Sequence, residues 1–283
     1  MHSSFSDEEL KKLHEVLFMI LGDVLRVCKN HGIKCFVIGG SAIGVYYWKN
    51  IVPSDDDIDL GMTRDDYEKF LQIAQQELGD KYFVQNPLTE PHTPYYFTKI
   101  MLKGTTFLEH EHDSNLKCNG IFIDIFPFDH VPDDLKTRNL HRKRVNTINN
   151  WLIAKDQWQW KYIHKCETDT PAQNSFLNCL VMSIARSVLS KRQIYKLLLK
   201  FQTMYNKKST VFSNAVVASV DLVSNESLND LKEAQFGNYT VYVPGDLETY
   251  LHNHYPNLKK NLSTAEKSRY SHHLVKLDFG PYA

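Results

Sequence analysis

No run of apolar residues in this 283-residue chain approaches the ~20 that a membrane-spanning helix requires. The first residues, MHSSFSDEELKK, lack the form of a secretory leader. A cytoplasmic protein is therefore expected, at most peripheral to the inner face of the membrane. Charge of one sign is not in excess either: 33 basic residues balance 33 acidic ones, so no global field draws the chain to nucleic acid. The five cysteines, Cys28, Cys35, Cys118, Cys166 and Cys179, are odd in number and never spaced C-x-x-C. That spacing excludes an obvious disulfide framework and leaves reduced thiols. His110, His112 and Cys118 come nearest to a zinc set, but they fall short of four closely spaced ligands. There are no repeats and no low-complexity tracts. What remains is a globular chain able to bury a sizeable core as one large domain or two small ones.

The periodicities alternate between helix and strand. Ser6 and Glu9 form a capping-box pattern, followed by Leu10, Leu13, Leu17, Ile20, Leu21, Val24 and Leu25 at helical spacing, up to Asn30-His31-Gly32. Lys34 to Ile38 reads as a strand, with Ser41 as the cap of a short helix after it. Asp57 to Met62 reads as a second strand, and Thr63 with Asp66 opens a helix to about Leu78. Tyr95–Leu102 and Thr106–His110 read as a hairpin about Lys103-Gly104. Ile121 to Phe126 is a strand, and a helix follows Pro132 to about Ala154. A further helix is expected over 175–206 with Phe176, Leu180, Ile184 and Val188 on one apolar stripe. A strand near 238–243 and a short helix from Leu247 to His254 close the list. Arg138, His141, Arg142, Lys143 and Arg144 read as a solvated basic face. The composite is α+β: a small mixed sheet flanked by helices, with a largely helical second half.

Chemistry concentrates in two places. FVIGG runs from an apolar strand into Gly39-Gly40-Ser41, and Asp55-Asp56-Asp57-Ile58-Asp59 follows. Backbone N–H groups of a Gly-Gly-Ser turn can hold phosphate. Strand side chains alternate, so Asp55, Asp57 and Asp59 are expected on one face with Asp56 opposite. Farther on, GIFIDIFPFD carries Asp124 between Ile123 and Ile125. A lone acid in such a run needs a partner, because burying an unpaired charge is costly. A shared Mg²⁺ or Mn²⁺ held by Asp57, Asp59 and Asp124 would supply one. An isolated acidic run is usually a solvated turn, and Gly-Gly-Ser alone is only a turn. The joint order of strand, GGS, D-x-D and a second acid-bearing strand is far more specific, and it points to metal-dependent phosphoryl or nucleotidyl transfer.

Residues 39–62, GGSAIGVYYWKNIVPSDDDIDLGM, and then Arg64, Asp66, Tyr67, Glu68, Lys69 and Phe70, resemble the LicD family of phosphotransferases. GIFIDIFPFDHVPDD (120–134) and the block of Arg269, His272, His273 and LDFG resemble the family's later motifs. The chain departs from the pattern at Tyr47-Trp48-Lys49, where the family usually has Arg-His-Lys, and at Ser54, where it has Trp. The resemblance implies a nucleotidyltransferase-like catalytic core over 1–150. It also implies a mainly helical part over 151–283, whose C-terminal segment returns to the site. The implied reaction moves a phospho-alcohol, phosphocholine from CDP-choline above all, to a hydroxyl of a surface glycan or glycolipid, with release of CMP.

In that reading Asp57, Asp59 and Asp124 are catalytic and hold the metal. Gly40 and Ser41 cradle phosphate, and Lys49 and Lys99 are further phosphate contacts. Arg269, His272 and His273 belong to the substrate site. Choline favours aromatic faces, which makes Tyr47 and Trp48 candidate contacts, with Tyr46, Trp151, Trp158 and Trp160 behind them. Two other readings stand beside it: nucleotidyl transfer from an NTP with release of pyrophosphate, and a non-catalytic nucleotide- or glycan-binding member of the fold.

Overall fold

The computed structural model describes residues 5–109, 116–155, 188–208, 210–214, 222–255 and 274–283. Helix α1 (Asp7–Asn30) begins at the Ser6–Glu9 capping box and buries Leu13, Leu17, Ile20, Leu21 and Val24. Strand β1 (Phe36–Val37) leads into α2 (Gly39–Trp48), and β2 (Asp59–Thr63) into α3 (Arg64–Leu78), which Thr63 caps by accepting from the Asp66 N–H. Next come β3 (Tyr82–Gln85), β4 (Thr98–Leu102), β5 (Thr106–Leu108) and the ten-residue β6 (Phe122–Val131). Helices α4 (Leu135–Ala154) and α5 (Lys191–Gln202) follow, then β7 (Phe212–Asn214), β8 (Leu222–Ser224), α6 (Asn225–Asn229), β9 (Lys232–Phe236), β10 (Tyr239–Val243), α7 (Leu247–His254) and β11 (Lys276–Asp278).

The fold is α+β, with a mixed sheet in the order β3-β4-β6-β2-β1-β10-β9. β2 runs parallel to β6 and β1 parallel to β10, and the remaining neighbours are antiparallel. β7 pairs with the far end of β6, and β8 with β7. Helices α1 and α3 lie together against β6, and α3 also covers β2 and β3. β2 and β6 sit in mid-sheet, so Leu60, Met62, Ile123 and Ile125 are wholly buried. This explains why both strands read as continuous apolar runs rather than alternating ones. A smaller cluster joins α4 to α5 through Val145, Ile148, Leu152, Ile194 and Leu198.

Several expectations are corrected. Ser41 does not cap α2: the helix starts two residues earlier with Ile38 at the cap, and the Ser41 hydroxyl accepts from the Asp59 N–H at 2.9 Å. The hairpin of Thr98–Leu102 with Thr106–Leu108 does not form. Both edges of β4 are taken by β3 and β6, so β5 pairs instead with β11. The helix expected over 175–206 is interrupted at Ser190, whose side chain makes a new capping box with Gln193, and Val188 is 72% exposed rather than in an apolar stripe. Phe176, Leu180 and Ile184 lie outside the described residues. His141 leaves the basic face of α4 and bonds the Phe201 carbonyl at 2.8 Å.

Burial of His141 lowers its imidazole pKa from the usual range, against the Phe201 carbonyl and Asp129, which favour the protonated ring. His254 is lowered by burial in the same way. The unfolded chain takes up these protons first as pH falls, so the linked stability is complete above the ordinary histidine value and is lost below it. Melting temperature is therefore expected to hold on the alkaline side of about pH 6.5 and to decline as pH falls below it. A scan of melting temperature against pH for the wild type and His141→Gln checks this; the variant should decline less steeply.

Candidate active site

A turn at Pro53-Ser54 leads into Asp55–Ile58, which form neither helix nor strand, and the strand begins only at Asp59. Strict alternation therefore does not apply before Asp59. The carboxylates of Asp55, Asp56 and Asp57 instead approach one another within 4.8 Å, all three residues being buried. Asp56 is part of the cluster and does not point away from it.

Pairing across the sheet brings in the other acid. Asp59 and Asp124 are register partners on parallel β2 and β6, and Asp124 and Lys99 are register partners on antiparallel β6 and β4. Lys99, Asp124 and Asp59 thus form one row on one face. The opening turn of α2 closes this row. A Cβ on Gly39, whose φ is +56°, would lie 2.9 Å from Asp59 Oδ2, and one on Gly40 would lie 2.4 Å from Asp55 Oδ2. Only glycine lets these carboxylates come so close to the helix start. The Gly39 N–H donates to the Tyr250 hydroxyl at 3.0 Å, which ties α7 to this turn. Burial pushes the Tyr250 phenol pKa up, and the Asp59 charge pushes it the same way, so the hydroxyl stays neutral.

Lys99 is 2% exposed. Its Nζ lies 3.2 Å from Asp124 Oδ2 and 3.5 Å from Glu109 Oε2. The rings of Phe122 and Tyr95 lie 3.3 Å and 4.6 Å from it. Burial alone would favour the neutral amine. Asp124 and Glu109, with Asp57 farther off, outweigh burial and hold the ammonium above its usual range. Behind the acidic loop, the His14 ring bonds the Asp55 carbonyl at 2.8 Å.

Tyr47, Trp48 and Lys49 stand at the other end of α2. Lys49 is exposed, caps the helix at φ 52° and accepts from the Gly237 N–H through its carbonyl. Tyr46, Tyr47 and Trp48 meet edge to face. Seven residues of helix separate Tyr47 from Gly40, a span of ~10 Å. Trp48 also lines a cleft of about 390 Å³ with Leu10, His14, Ile51 and Pro53. Trp151 belongs to the second core cluster. Arg269, His272, His273, Trp158, Trp160, His110 and His112 lie outside the described residues.

Residues 32–177, just over half of the chain, match the family described as LicD/FKTN/FKRP, nucleotidyltransferase domain. The chain belongs to the LicD family. It is also 28% identical, over 162 residues, to the lipopolysaccharide cholinephosphotransferase LicD of Haemophilus influenzae. That alignment covers 54% of this chain and 60% of the relative. The family match spans the acidic loop, Lys99 and Asp124 but stops well before Tyr250.

Two participants in this geometry were not read from sequence. Glu109 directly follows the short strand β5, whereas Asp124 lies inside an apolar run, so the rule that found Asp124 applies to Glu109 only weakly. Tyr250 carries no signal: it reads as an ordinary aromatic of a short helix, 211 residues from its partner.

Proposed function

We propose that this LicD family member transfers a phospho-alcohol, phosphocholine above all, from a CDP-alcohol donor such as CDP-choline to a hydroxyl of a cell-surface glycan or glycolipid, releasing CMP. The observation that carries the reading is the meeting of Asp55 and Asp59 at the glycine turn that opens α2, with Asp124 in register with Asp59 on the neighbouring strand. Family membership and the likeness to a lipopolysaccharide cholinephosphotransferase support the donor and acceptor classes. Lipopolysaccharide, teichoic acid and capsule all present suitable hydroxyls. Among the described residues no helix is long and apolar enough to cross a membrane, which is compatible with work on the cytoplasmic side, at the inner membrane face.

The carboxylates of Asp55, Asp56 and Asp57 approach within 4.8 Å of one another, and an all-carboxylate set with no nitrogen or sulfur ligand suits Mg²⁺ or Mn²⁺. Asp57, Asp59 and Asp124 would hold the ion, with Asp55 and Asp56 in supporting positions. Such an ion, when bound, neutralises diphosphate charge and polarises its P–O bonds. The chain's own groups then position the donor. The Gly40 and Ser41 N–H groups lie in the first turn of α2, outside its ladder, where a helix attracts anions. The acceptor oxygen forms a new bond to phosphorus as the bond to CMP breaks, and its proton passes to a carboxylate of the set. Positioning and charge neutralisation are the main sources of rate in such reactions. By family resemblance, Arg269, His272 and His273 complete the substrate site.

The test is incubation of the purified chain with CDP-choline, a glycan acceptor and Mg²⁺. CMP and phosphocholine-bearing glycan are expected, with loss on EDTA treatment and recovery with Mg²⁺ or Mn²⁺. Pyrophosphate released from an NTP would turn the assignment to nucleotidyl transfer. Binding of CDP-choline without product would mark a non-catalytic member.

The choline end of the donor is assigned to the cleft beside Trp48. A cation–π contact contributes about 0.5–2 kcal/mol, so Trp48→Leu is expected to weaken CDP-choline binding roughly twofold to thirtyfold. CMP and CDP-glycerol should bind almost as before. Calorimetric titration of the three ligands checks this, and equal losses for all three would reject the assignment.

A further inference from the structure

We propose that the first half of α4, together with the turn that follows α5, docks the protein on an anionic phospholipid bilayer. Docking stands apart from the transfer reaction and is read without turnover. The chain is neutral overall, but its charge is not spread evenly. Residues 135–155 and 188–208, which contain α4 and α5, hold twelve of the 33 basic residues and none of the 33 acidic ones. No Asp or Glu within either helix can neutralise them by i,i+4 pairing. The two helices pack on each other through Val145, Ile148, Leu152, Ile194 and Leu198, so they present this charge as one unit. The rest of the chain is net acidic and is repelled by the surface that attracts the pair, which orients the approach.

Charge alone would suit any polyanion; the apolar residues decide among them. Eight large apolar side chains are exposed among the described residues, and four of them, Leu135, Leu140, Met204 and Val211, gather about the first half of α4. Leu135 is 62% exposed and Leu140 49%. Lys136, Leu140, Lys143, Arg144 and Thr147 are all exposed and fall on one stripe of the helix, at i, i+4, i+7, i+8 and i+11. Val211 sits at the start of this helix, its N–H donating to Asp133 Oδ1 at 2.7 Å. Met204 arrives beside Tyr205, whose ring meets His141 edge to face at 4.9 Å. Lys207 and Lys208 follow, both exposed. The acids at this edge are Asp133 and Asp134, the latter engaged in capping α4. Single exposed apolar residues are ordinary, but four clustered among lysines mark an interaction surface. A bilayer takes both kinds at once. Lipid phosphates meet the basic groups, and leucine and methionine tips enter the acyl boundary. A nucleic-acid backbone has no use for the second kind.

The experiment is flotation of the full chain with vesicles of phosphatidylcholine alone and of phosphatidylcholine mixed with phosphatidylglycerol. The mixed vesicles are expected to carry the protein and the neutral ones to leave it behind. Lys136→Gln/Lys143→Gln/Arg144→Gln is expected to weaken binding about a hundredfold, at roughly fivefold for each charge removed from an anionic leaflet. Leu135→Ser/Leu140→Ser is expected to weaken it about tenfold, and to do so at high salt as well, where screening has removed most of the charge attraction. All five side chains are exposed, so both variants should melt as the wild type does. Lys136→Arg/Lys143→Arg keeps the charge and should keep the binding. Equal binding to both kinds of vesicle, or wild-type binding by either weakened variant, would overturn the proposal and leave phospho-alcohol transfer standing. A DNA duplex that displaces the vesicles, with binding untouched by the leucine changes, would assign the face to nucleic acid instead. A dimer that Leu135→Ser/Leu140→Ser dissolves, without vesicle binding by the wild type, would assign it to a second copy of the chain.

Discussion

Asp59→Asn is expected to lower turnover by about a thousandfold while the chain remains folded, since metal-borne charge stabilisation is worth several kcal/mol and each 1.36 kcal/mol is tenfold in rate. Asp59 stands at the partly exposed start of β2, in register with Asp124 and against Gly39. Asn keeps its shape and removes the charge, so the strand and the Ser41 bond to the Asp59 backbone survive. Asp124→Asn is expected to cost as much activity, but with a different effect on stability. It weakens the carboxylate's hold on the buried Lys99 ammonium and leaves Glu109 as the lysine's main partner. Removing one partner of a buried pair is destabilising by about 3–5 kcal/mol, so Asp124→Asn should melt well below Asp59→Asn. CMP release and thermal unfolding on both variants check this. Activity within about tenfold of wild type in either variant would remove that acid from the reaction.

The parts that were legible in the sequence are those whose signal is local or follows from a single strand's environment. The Ser6–Glu9 box needs only four residues, and the Thr63 cap with Asp66 likewise. Asp124 could be read because an acid inside FIDIF has no place unless something pairs with it. Its partner could not be named, because register is set between strands. The alignment of Lys99, Asp124 and Asp59 depends on β4, β6 and β2 meeting in one order, which no single segment encodes. The alternation argument failed over Asp55–Asp57 for a related reason: it assumes a pleated strand, and a proline turn delays the strand to Asp59. The pairing of β5 with β11 and the Gly39–Tyr250 bond join segments far apart in the chain, where only the closed fold has information. Ser41 was placed correctly beside the acids but given the wrong bond, because a serine after two glycines looks like a cap whether or not the helix has already begun.

Arg64→Met is expected to destabilise the protein by about 3–5 kcal/mol, or roughly 6–20 °C in melting temperature, with little change in the rate of the folded enzyme. Arg64 belongs to the family-like run after the acidic strand, which invites a catalytic role. The structure puts it at the other end of β2 from Asp59, about five residues and so ~16 Å away. There it is 8% exposed and holds Asp129 with two donors, Nε at 2.9 Å to Oδ1 and Nη2 to Oδ2. Asn206 donates to the same Oδ1 at 2.7 Å, and the guanidinium lies over the Tyr67 ring. The pair thereby ties α3 to β6 and to the turn after α5. Met matches the length of the arginine stem but leaves the Asp129 carboxylate buried beside a single amide. Arg64→Met/Asp129→Leu removes both charges and should recover much of the loss, since a well-packed apolar pair often replaces a buried ion pair without penalty. Thermal unfolding of the single and double variants, with CMP release measured well below the lower melting temperature, separates the two roles. A folded Arg64→Met that melts normally but turns over slowly would move Arg64 into the active site.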